Sequence, residues 1–253
     1  MCFTRFLISP HALSGTLSTF TLTGREAHHL THVKRLGPGD LVELIDGSGI
    51  LAKAKIISIN RPEVGLQIVE VSKQLNDCLP INLIIALLKA DHMGWIIQKA
   101  TELGVQTIYP VITQHTVVKV NPEKTDRYLV RWKKIAGQAL KQCRGNFMPN
   151  IYPVISLEDA LGKVPCAGAK ILLWESEKKR SLFTAWKDQK NAIPVTVITG
   201  PEGGFIREEI IACKEAGFNT ATMGIRTLRS ETAAIGSVAA LATMMTSDLE
   251  KKS

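Results

Sequence analysis

Apolar and polar residues mix along three strand-like segments near the start of the chain, Leu41–Asp46, Ile50–Ile59 and Val64–Val71. Alternation is clearest within the second segment, and a period of two is typical of a strand that buries one face. Gly47-Ser48-Gly49 offers a hairpin turn between the first two segments. A helical pattern over Gly24–Arg35 precedes them. Residues 1–72 are therefore predicted to form a small, β-rich domain.

The pattern changes near residue 73. Ile81–Leu87 is a continuous apolar run, which is typical of a buried parallel strand, and Thr107–Ile112 is again apolar. Further strands are predicted at Lys170–Trp174, Val195–Thr199 and a short Thr220–Met223. Helical patterns lie between them, and a last, largely apolar helix is predicted from Glu231 to about Asp248. An alternation of strands and helices predicts a parallel α/β sheet over residues 73–253.

A long helix that begins at Asn121-Pro122 combines an apolar face with a basic one. Its basic residues are spaced three, four and seven apart: Arg127, Arg131, Lys134 and Lys141. Residues 115–150 carry eight Lys/Arg against two Asp/Glu, which is +6 of the net charge of +8. A basic stripe of this kind suits a nucleic-acid backbone, although a solvated helix face predicts the same pattern.

Composition narrows the class of protein further. With 253 residues, 45% of them hydrophobic and 21% charged, the chain is typical of a soluble globular protein. The five cysteines are far apart and lack zinc spacing, so we expect reduced thiols, no metal and a cytoplasmic location. The runs Leu79–Leu88 and Ala233–Met245 are too short to span a membrane, and the first residues lack the core of a signal peptide.

Two loops between a strand and a helix carry the candidate chemistry. The first is Thr199-Gly200-Pro201-Glu202-Gly203-Gly204-Phe205, whose glycines permit a sharp turn and a close approach to a ligand. It matches neither a Walker phosphate loop nor a dinucleotide fingerprint. The second runs from Met223 to Ala233 and places Arg226, Arg229 and Glu231 among apolar residues. For Ser230 and Glu231, a structural role as an ordinary helix cap is the alternative.

Together these loops resemble the signature pair of the ribosomal RNA small subunit methyltransferase E (RsmE) family. That pair is Gly-Pro-Glu-Gly-Gly-Phe at 200–205 and Gly-Ile-Arg-Thr-Leu-Arg-Ser-Glu-Thr-Ala at 224–233. Gln98–Gly104 resembles a helix of the same family, and His29–Arg35 with Gly39-Asp40 resembles its PUA-like N-terminal domain. The resemblance therefore extends over nearly the whole chain.

The resemblance implies the SPOUT fold. Its parallel sheet carries helices on both faces and a deep trefoil knot, and a small β-barrel-like, PUA-like domain stands at the N-terminus. S-adenosylmethionine (SAM) would be bound by three loops. The expected cofactor-binding residues are Leu172, Trp174, Glu175, Thr199, Gly200, Pro201, Glu202, Gly203, Gly204, Met223, Gly224, Ile225, Arg226 and Leu228.

The resemblance also implies a homodimer that methylates N3 of a uridine in 16S rRNA of the small ribosomal subunit, at uridine 1498 in the usual rRNA numbering. Deprotonation of N3 spreads negative charge onto the flanking carbonyl oxygens, which a guanidinium stabilises. Arg229 is therefore the first candidate for catalysis and Arg226 the second, with Glu231 or Glu202 to accept the proton or orient an arginine. The expected contacts to RNA are Arg5, Lys34, Arg35, Arg127, Arg131, Lys134, Lys141 and Arg144.

Three other functions remain open from the sequence. A SPOUT methyltransferase for another rRNA or tRNA site would share both glycine loops. A non-catalytic RNA-binding assembly factor would share the basic helix but would not need the loops to hold a cofactor, so binding of SAM distinguishes it from an enzyme. A nucleotide-dependent α/β enzyme is disfavoured, because phosphate-binding motifs are missing.

Overall fold

Two β-sheets organise the chain, and each belongs to its own unit. The computed structural model describes residues 3–10, 12–13, 18–119 and 125–250. The N-terminal unit contains the residues up to Asp77 together with Gly137–Met148, and the C-terminal unit contains Cys78–Ala136 and the residues from Pro149 onwards. Sequence places a single division at residue 72, whereas the N-terminal unit also takes in this second, later stretch of chain.

The sheet of the N-terminal unit has five strands among the described residues. They are β1 (Thr4–Leu7), β2 (Thr19–Leu22), β3 (Leu41–Ile45), β4 (Ile50–Asn60) and β5 (Glu63–Lys73). The spatial order is β1-β3-β4-β5-β2, with β1 parallel to β3 and the other pairs antiparallel. The sheet is therefore mixed, as in a PUA domain.

Alternation along these strands builds the core of the N-terminal unit, because every second side chain points to the same face. Phe6, Leu44, Ile56 and Leu66 are fully buried in one cluster. Helix α1 (Gly24–His28) continues as a π-helical turn over His29–Val33. The predicted helix ends early because Arg35 adopts a left-handed φ of 54°.

The sheet of the C-terminal unit is parallel throughout its described strands. These are β6 (Leu79–Ala86), β7 (Val105–Ile112), β8 (Asn150–Ile151), β9 (Ile155–Ser156), β10 (Ala169–Leu173), β11 (Val195–Thr199) and β12 (Asn219–Ala221). The order is β12-β10-β11-β6-β7-β8, and β9 also pairs with β7. The continuous apolar runs become the central strands, since β6 and β11 are buried along almost their whole length.

Helices cover both faces of this sheet. They are α2 (Ala90–Glu102), α4 (Leu157–Lys163), α5 (Leu182–Asp188), α6 (Arg207–Glu215) and α7 (Ser230–Glu250). Helix α3 (Thr125–Cys143) contributes residues to both units, since the division falls after Ala136. Helices α4 and α6 pack in one apolar cluster with the sheet, while α2 and α7 pack together against β6, β7 and β11. The predicted parallel α/β fold is confirmed. The predicted start of α3 at Asn121-Pro122 lies outside the described residues.

Candidate active site

Three loops of the C-terminal unit meet at one edge of its sheet. Strands β12, β10 and β11 are parallel neighbours, so the chain leaves all three at the same edge, where open α/β sheets bind ligands. We call the segments that follow them the β10 loop (174–181), the β11 loop (200–206) and the β12 loop (222–229). Together they enclose a cavity of about 520 Å³, within the ordinary size of a small-molecule site.

Close packing explains two glycines of the β11 loop. Gly204 has a left-handed φ of 72°, and a Cβ there would lie 3.0 Å from the Oε1 atom of Glu175. A Cβ at Gly200 would lie 2.7 Å from the ring of Phe205. The amide of Gly204 donates to the Pro201 carbonyl at 3.1 Å, which closes the turn. Larger residues at either glycine would displace the cavity wall.

Side chains outside the motif brace the β11 loop. The Nδ1 atom of His115 lies 3.0 Å from the carbonyl oxygen of Gly203 and 3.1 Å from that of Gly204. Helix α6 begins directly after the loop, and the carboxylate of Glu209 accepts a hydrogen bond from the Ile206 amide at 3.0 Å, as in half of a capping box. The loop is therefore held at both ends.

One hydrogen bond joins the β11 loop to the start of α7, directly after the β12 loop. The hydroxyl of Ser230, the first residue of α7, donates to the carbonyl of Gly200. Within the β12 loop, the Gly224 amide donates to the Thr222 hydroxyl at 3.2 Å, and Gly224 has a positive φ of 137°. The two motifs that the sequence singles out thus lie in direct contact at the cavity.

A carboxylate fixes the shape of the β10 loop. Glu177 accepts hydrogen bonds from the backbone amide of Lys179 at 2.9 Å and from the hydroxyl of Thr220 at 2.8 Å. These bonds favour the charged form, and the Lys179 amide contributes most to lowering the pKa of Glu177 to about 2. Because Thr220 belongs to β12, the bond also ties the β10 loop to the neighbouring strand.

Two guanidinium groups of the β12 loop line the cavity without a protein partner. Arg226 and Arg229 are both exposed, and neither makes an ion pair or side-chain hydrogen bond within the described part of the chain. Glu202 of the β11 loop is also exposed at the wall. The cations are therefore free to bind an anionic or hydrogen-bond-accepting ligand.

The cavity wall also contains buried polar atoms without hydrogen bonds. These are the Thr199 hydroxyl, the Nδ1 atom of His92 and the Oε2 atom of Glu231, none of which has a partner among the described residues. Most buried polar atoms in proteins are hydrogen-bonded, so such exceptions at a cavity indicate positions for polar groups of a ligand or for ligand-dependent contacts.

Most of the predicted site residues lie at this cavity. The predicted residues in its wall are Trp174, Glu175, Thr199, Gly200, Pro201, Glu202, Gly204, Met223, Gly224, Arg226, Leu228, Arg229 and Glu231. Three others do not line it. Leu172 is fully buried in the core, Gly203 faces His115, and the Ile225 side chain is 98% exposed.

Several wall residues carry no prediction from sequence. His92, Lys178 and Phe205 line the cavity together with Ser230. Phe205 and Ser230 belong to the two motifs, so their sequence neighbours give a signal. His92 stands alone in the first turn of α2, far from both motifs, and only the packing of α2 against α7 brings it to the site.

The basic residues predicted to contact RNA fall into two groups. Those of the first group form ion pairs inside the N-terminal unit. Arg5 lies 2.7 Å from Glu43, and Arg144 lies 2.8 Å from the same carboxylate. Lys141 lies 2.7 Å from Glu26. The side chains of Arg5 and Lys141 are only 7% and 8% exposed. Burial and pairing leave Arg5 and Lys141 little surface for an RNA phosphate, whereas the paired Arg144 is still 39% exposed. Contact of these three residues with RNA stays a prediction.

The second group of basic residues remains accessible. Arg127, Arg131 and Lys134 are exposed on α3, where Arg131 makes only a long 3.7 Å contact with a carboxylate. Lys34 and Arg35 are exposed in the N-terminal unit. Exposed ion pairs contribute little, so each of these cations is free to contact a polyanion.

Two other features are absent from the described part of the chain. No group of His, Cys, Asp and Glu there has the arrangement of a metal centre. None of the helices described is both long and apolar enough to cross a membrane.

Comparison with known proteins defines the class. A family model described as "RNA methyltransferase domain" matches residues 75–242, and one described as "RNA methyltransferase PUA domain" matches residues 22–69. The ribosomal RNA small subunit methyltransferase E of Bacillus subtilis is 31% identical over 88% of this chain and 89% of its own length. The protein of that name from Synechocystis is 30% identical over 90% of this chain and 74% of its own length.

Solved structures agree with the sequence comparison. The ribosomal RNA small subunit methyltransferase E of Neisseria gonorrhoeae, bound to SAM, superposes with a TM-score of 0.83 at 29% identity over 96% of this chain and 98% of that one. A Legionella pneumophila protein in complex with SAM superposes with a TM-score of 0.85 at 29% identity, over 96% of this chain and 98% of that one. The fold and the site thus define an RNA methyltransferase of SPOUT architecture with a PUA domain. The chain belongs to the ribosomal RNA small subunit methyltransferase E family.

Proposed function

We propose that this protein transfers the methyl group of SAM to N3 of a uridine in 16S rRNA of the small ribosomal subunit, at the position numbered 1498 by family resemblance. The observation that carries the proposal is the direct bond between Ser230 and Gly200. It joins the two family-specific loops into the wall of one cavity, next to two unpaired guanidinium groups.

The cavity suits SAM in size and in chemistry. A volume of about 520 Å³ accommodates a ligand of nucleoside size. Backbone groups of Gly200–Gly204 and Met223–Leu228 would recognise the adenine, while the side chains of Met223 and Leu228 supply apolar contact. The buried, unpaired hydroxyl of Thr199 offers a further hydrogen bond to a polar group of the cofactor. Bound SAM supplies an electrophilic methyl group on a positively charged sulfur.

The side chains of the protein have the remaining work of positioning the base and stabilising charge. Arg229 is the first choice to bind the target base beside its carbonyl oxygens, where it would stabilise the charge left by deprotonation of N3. Arg226 is the second choice. Glu231 and Glu202 are the carboxylates at the wall that could accept the proton or orient an arginine.

Exposed cations on both units would bind the RNA phosphates. Arg127, Arg131 and Lys134 provide a row of positive charge on α3, and Lys34 and Arg35 provide a second group. Binding of this kind depends on salt, because neutralised phosphates release counterions.

The assembly expected for the enzyme is a cytoplasmic homodimer whose catalytic domain, residues 73–253, carries a trefoil knot, with a PUA-like RNA-binding domain at residues 1–72. The largely apolar helix α7 supports the dimer. Several of its small apolar residues are only partly buried, although an ordinary solvent-facing helix surface is polar.

A methylation assay tests the proposed reaction. Unmodified 30S subunits and free 16S rRNA are incubated with the protein and labelled SAM, and the modified base is mapped by mass spectrometry. We expect 3-methyluridine at a single position of the rRNA. Methylation of a tRNA or of another rRNA base would identify a different substrate. An absence of saturable SAM binding in calorimetry would favour a non-catalytic assembly factor.

Replacement of the first-choice arginine tests its role separately. Arg229→Ala should lower kcat by about 10²-fold or more, the usual loss on removal of one stabilising donor, while SAM binds with unchanged affinity. Normal methylation of the RNA by Arg229→Ala would remove Arg229 from the mechanism.

A further inference from the structure

His92 and Glu231 face each other at the wall of the cavity. His92 lies in the first turn of α2 and Glu231 in the first turn of α7, and these two helices pack together. The Nδ1 atom of His92 is 3.6 Å from the Oε2 atom of Glu231, with side chains 38% and 18% exposed. Neither sequence motif contains this histidine, so only the packing of α2 against α7 reveals the pair.

The two facing atoms have no other hydrogen-bonding partner within the described residues. Both are buried, and each is unsatisfied at the present separation. A buried polar atom without a partner is unfavourable, so a shift of a few tenths of an ångström to form the bond between them would be favourable. Hydrogen bonds of catalytic groups are often long before substrate binds and tighten in the complex.

We propose that His92 is the residue that takes the proton from the target nitrogen, and that Glu231 is a positioning residue that holds the imidazole. This inference rests on the proposed methylation of uridine N3. Because Nδ1 faces Glu231, the Nε2 atom on the other side of the ring is the nitrogen available to the substrate. The carboxylate keeps the proton of the neutral ring on Nδ1 and leaves Nε2 as the acceptor.

The step balances without a further reactant. The N3–H bond breaks, its electron pair stays on N3, and the proton forms a bond to Nε2 of His92. That pair on N3 forms the new bond to the methyl carbon, while the electron pair of the carbon–sulfur bond leaves with the sulfur. The imidazolium is stabilised by the Glu231 carboxylate. Since His92 is partly exposed, it returns the proton to water after the product leaves.

Chemistry favours the histidine over the carboxylates of the wall. An ordinary imidazole titrates near pH 6.5 and an ordinary glutamate near 4.3, so the imidazole is the better base at neutral pH. Glu202 is exposed to solvent in the β11 loop. Glu231, in contrast, has its buried oxygen directed at His92, which suits a partner better than a separate base.

Other charged groups line the same cavity wall as His92. The cations are Arg226 and Arg229 on the β12 loop and Lys178 on the β10 loop, and the carboxylates besides Glu231 are Glu175 and Glu202. On α2 itself, the exposed Asp91 adjoins His92. A variant that alters only His92 leaves all of these in place, so a change in the pH profile reports on the imidazole.

The test compares pH–rate profiles of the full-length protein on the RNA substrate. For the wild type, kcat should level off once His92 is neutral. His92→Gln should lower kcat at pH 7 by about 10²-fold, leave SAM affinity within about twofold, and make kcat rise with pH without a plateau. Imidazole added to His92→Ala should restore activity in a saturable manner. Asp91→Asn, one residue away and outside the cavity, is the matched control and should keep the wild-type kcat at pH 7 and the plateau in its pH profile.

A second comparison isolates Glu231. Glu231→Gln should slow the reaction by about tenfold, and the double variant should be no slower than His92→Gln alone, because Glu231 acts only through the imidazole. The proposal is overturned if His92→Gln keeps its rate, if its loss of rate matches a loss of SAM affinity, or if the two losses add. A wild-type protein that methylates no RNA would instead overturn the proposed function itself.

Discussion

Glu43 should be essential to the stability of the N-terminal unit, and the change that tests this is Glu43→Gln. Its carboxylate is 9% exposed and is shared by Arg5 at 2.7 Å and Arg144 at 2.8 Å. The neutral amide keeps the volume but leaves the buried guanidinium of Arg5 without a countercharge. Loss of one partner from a buried ion pair destabilises proteins by about 3–5 kcal/mol. In a chain of this size, each kcal/mol of lost stability lowers Tm by about 2–4 °C. The expected drop in Tm is therefore roughly 6–20 °C.

Glu70→Gln is the matched control for this experiment. The ion pair between Glu70 and Lys53 has the same length of 2.7 Å and lies in the same sheet, but its side chains are 56% and 44% exposed. We expect a change below about 1 kcal/mol, or under about 4 °C. Thermal unfolding followed by circular dichroism measures both variants. Equal shifts in Tm would refute the reasoning, because burial would then not decide the contribution of an ion pair here.

Two further predictions concern the loops around the cavity. Gly204→Ala should weaken SAM binding by about 5–30-fold in calorimetry, because a left-handed conformation costs a non-glycine residue about 1–2 kcal/mol. The control is Gly162→Ala, where a Cβ meets nothing within 4 Å, and this variant should bind SAM normally. Equal SAM affinities of the two variants would contradict a conformational requirement for Gly204. Thr220→Val should raise the pKa of Glu177 from about 2 towards its ordinary 4.5. Because the pKa of Glu177 is lower in the folded protein, its charge stabilises the fold fully above pH 4.5, and this stabilisation is lost as the pH falls to about 2. Thr220→Val should therefore have a smaller free energy of unfolding at neutral pH, and that free energy should fall less in acid. An NMR titration with an unchanged midpoint would contradict the assigned hydrogen bond.

The long elements of the fold are predictable from sequence because their patterns are local. The alternation within Ile50–Asn60 and the apolar run of Leu79–Ala86, interrupted only by the polar Asn82, each predict a strand and its burial. Short elements escape such reasoning. The four residues of β1 and the two of β8 and of β9 are too few to show a period, and they become strands only by pairing with longer neighbours.

Residues of the candidate site also differ in whether a local sequence pattern predicts them. The glycine loops carry a signal in their own sequence, and nearly all of their residues line the cavity. Lys141 shows the opposite case, since its helical spacing places it on a basic face while its partner Glu26 lies 115 residues earlier in the chain. His92 is missed for the same physical reason. Contacts between residues distant in sequence decide both roles, and no local pattern contains them.

The later stretch of the N-terminal unit, Gly137–Met148, has a consequence for inheritance of the domain. Glu26 and Glu43 precede the whole second sheet along the chain, whereas their cations Lys141 and Arg144 follow only its first two strands, β6 and β7. A recombination event that exchanges only the first 77 codons would leave those carboxylates beside mismatched side chains. Transfer of a PUA domain between relatives therefore requires coordinated change in two separate parts of the gene. This domain cannot be exchanged as one continuous segment.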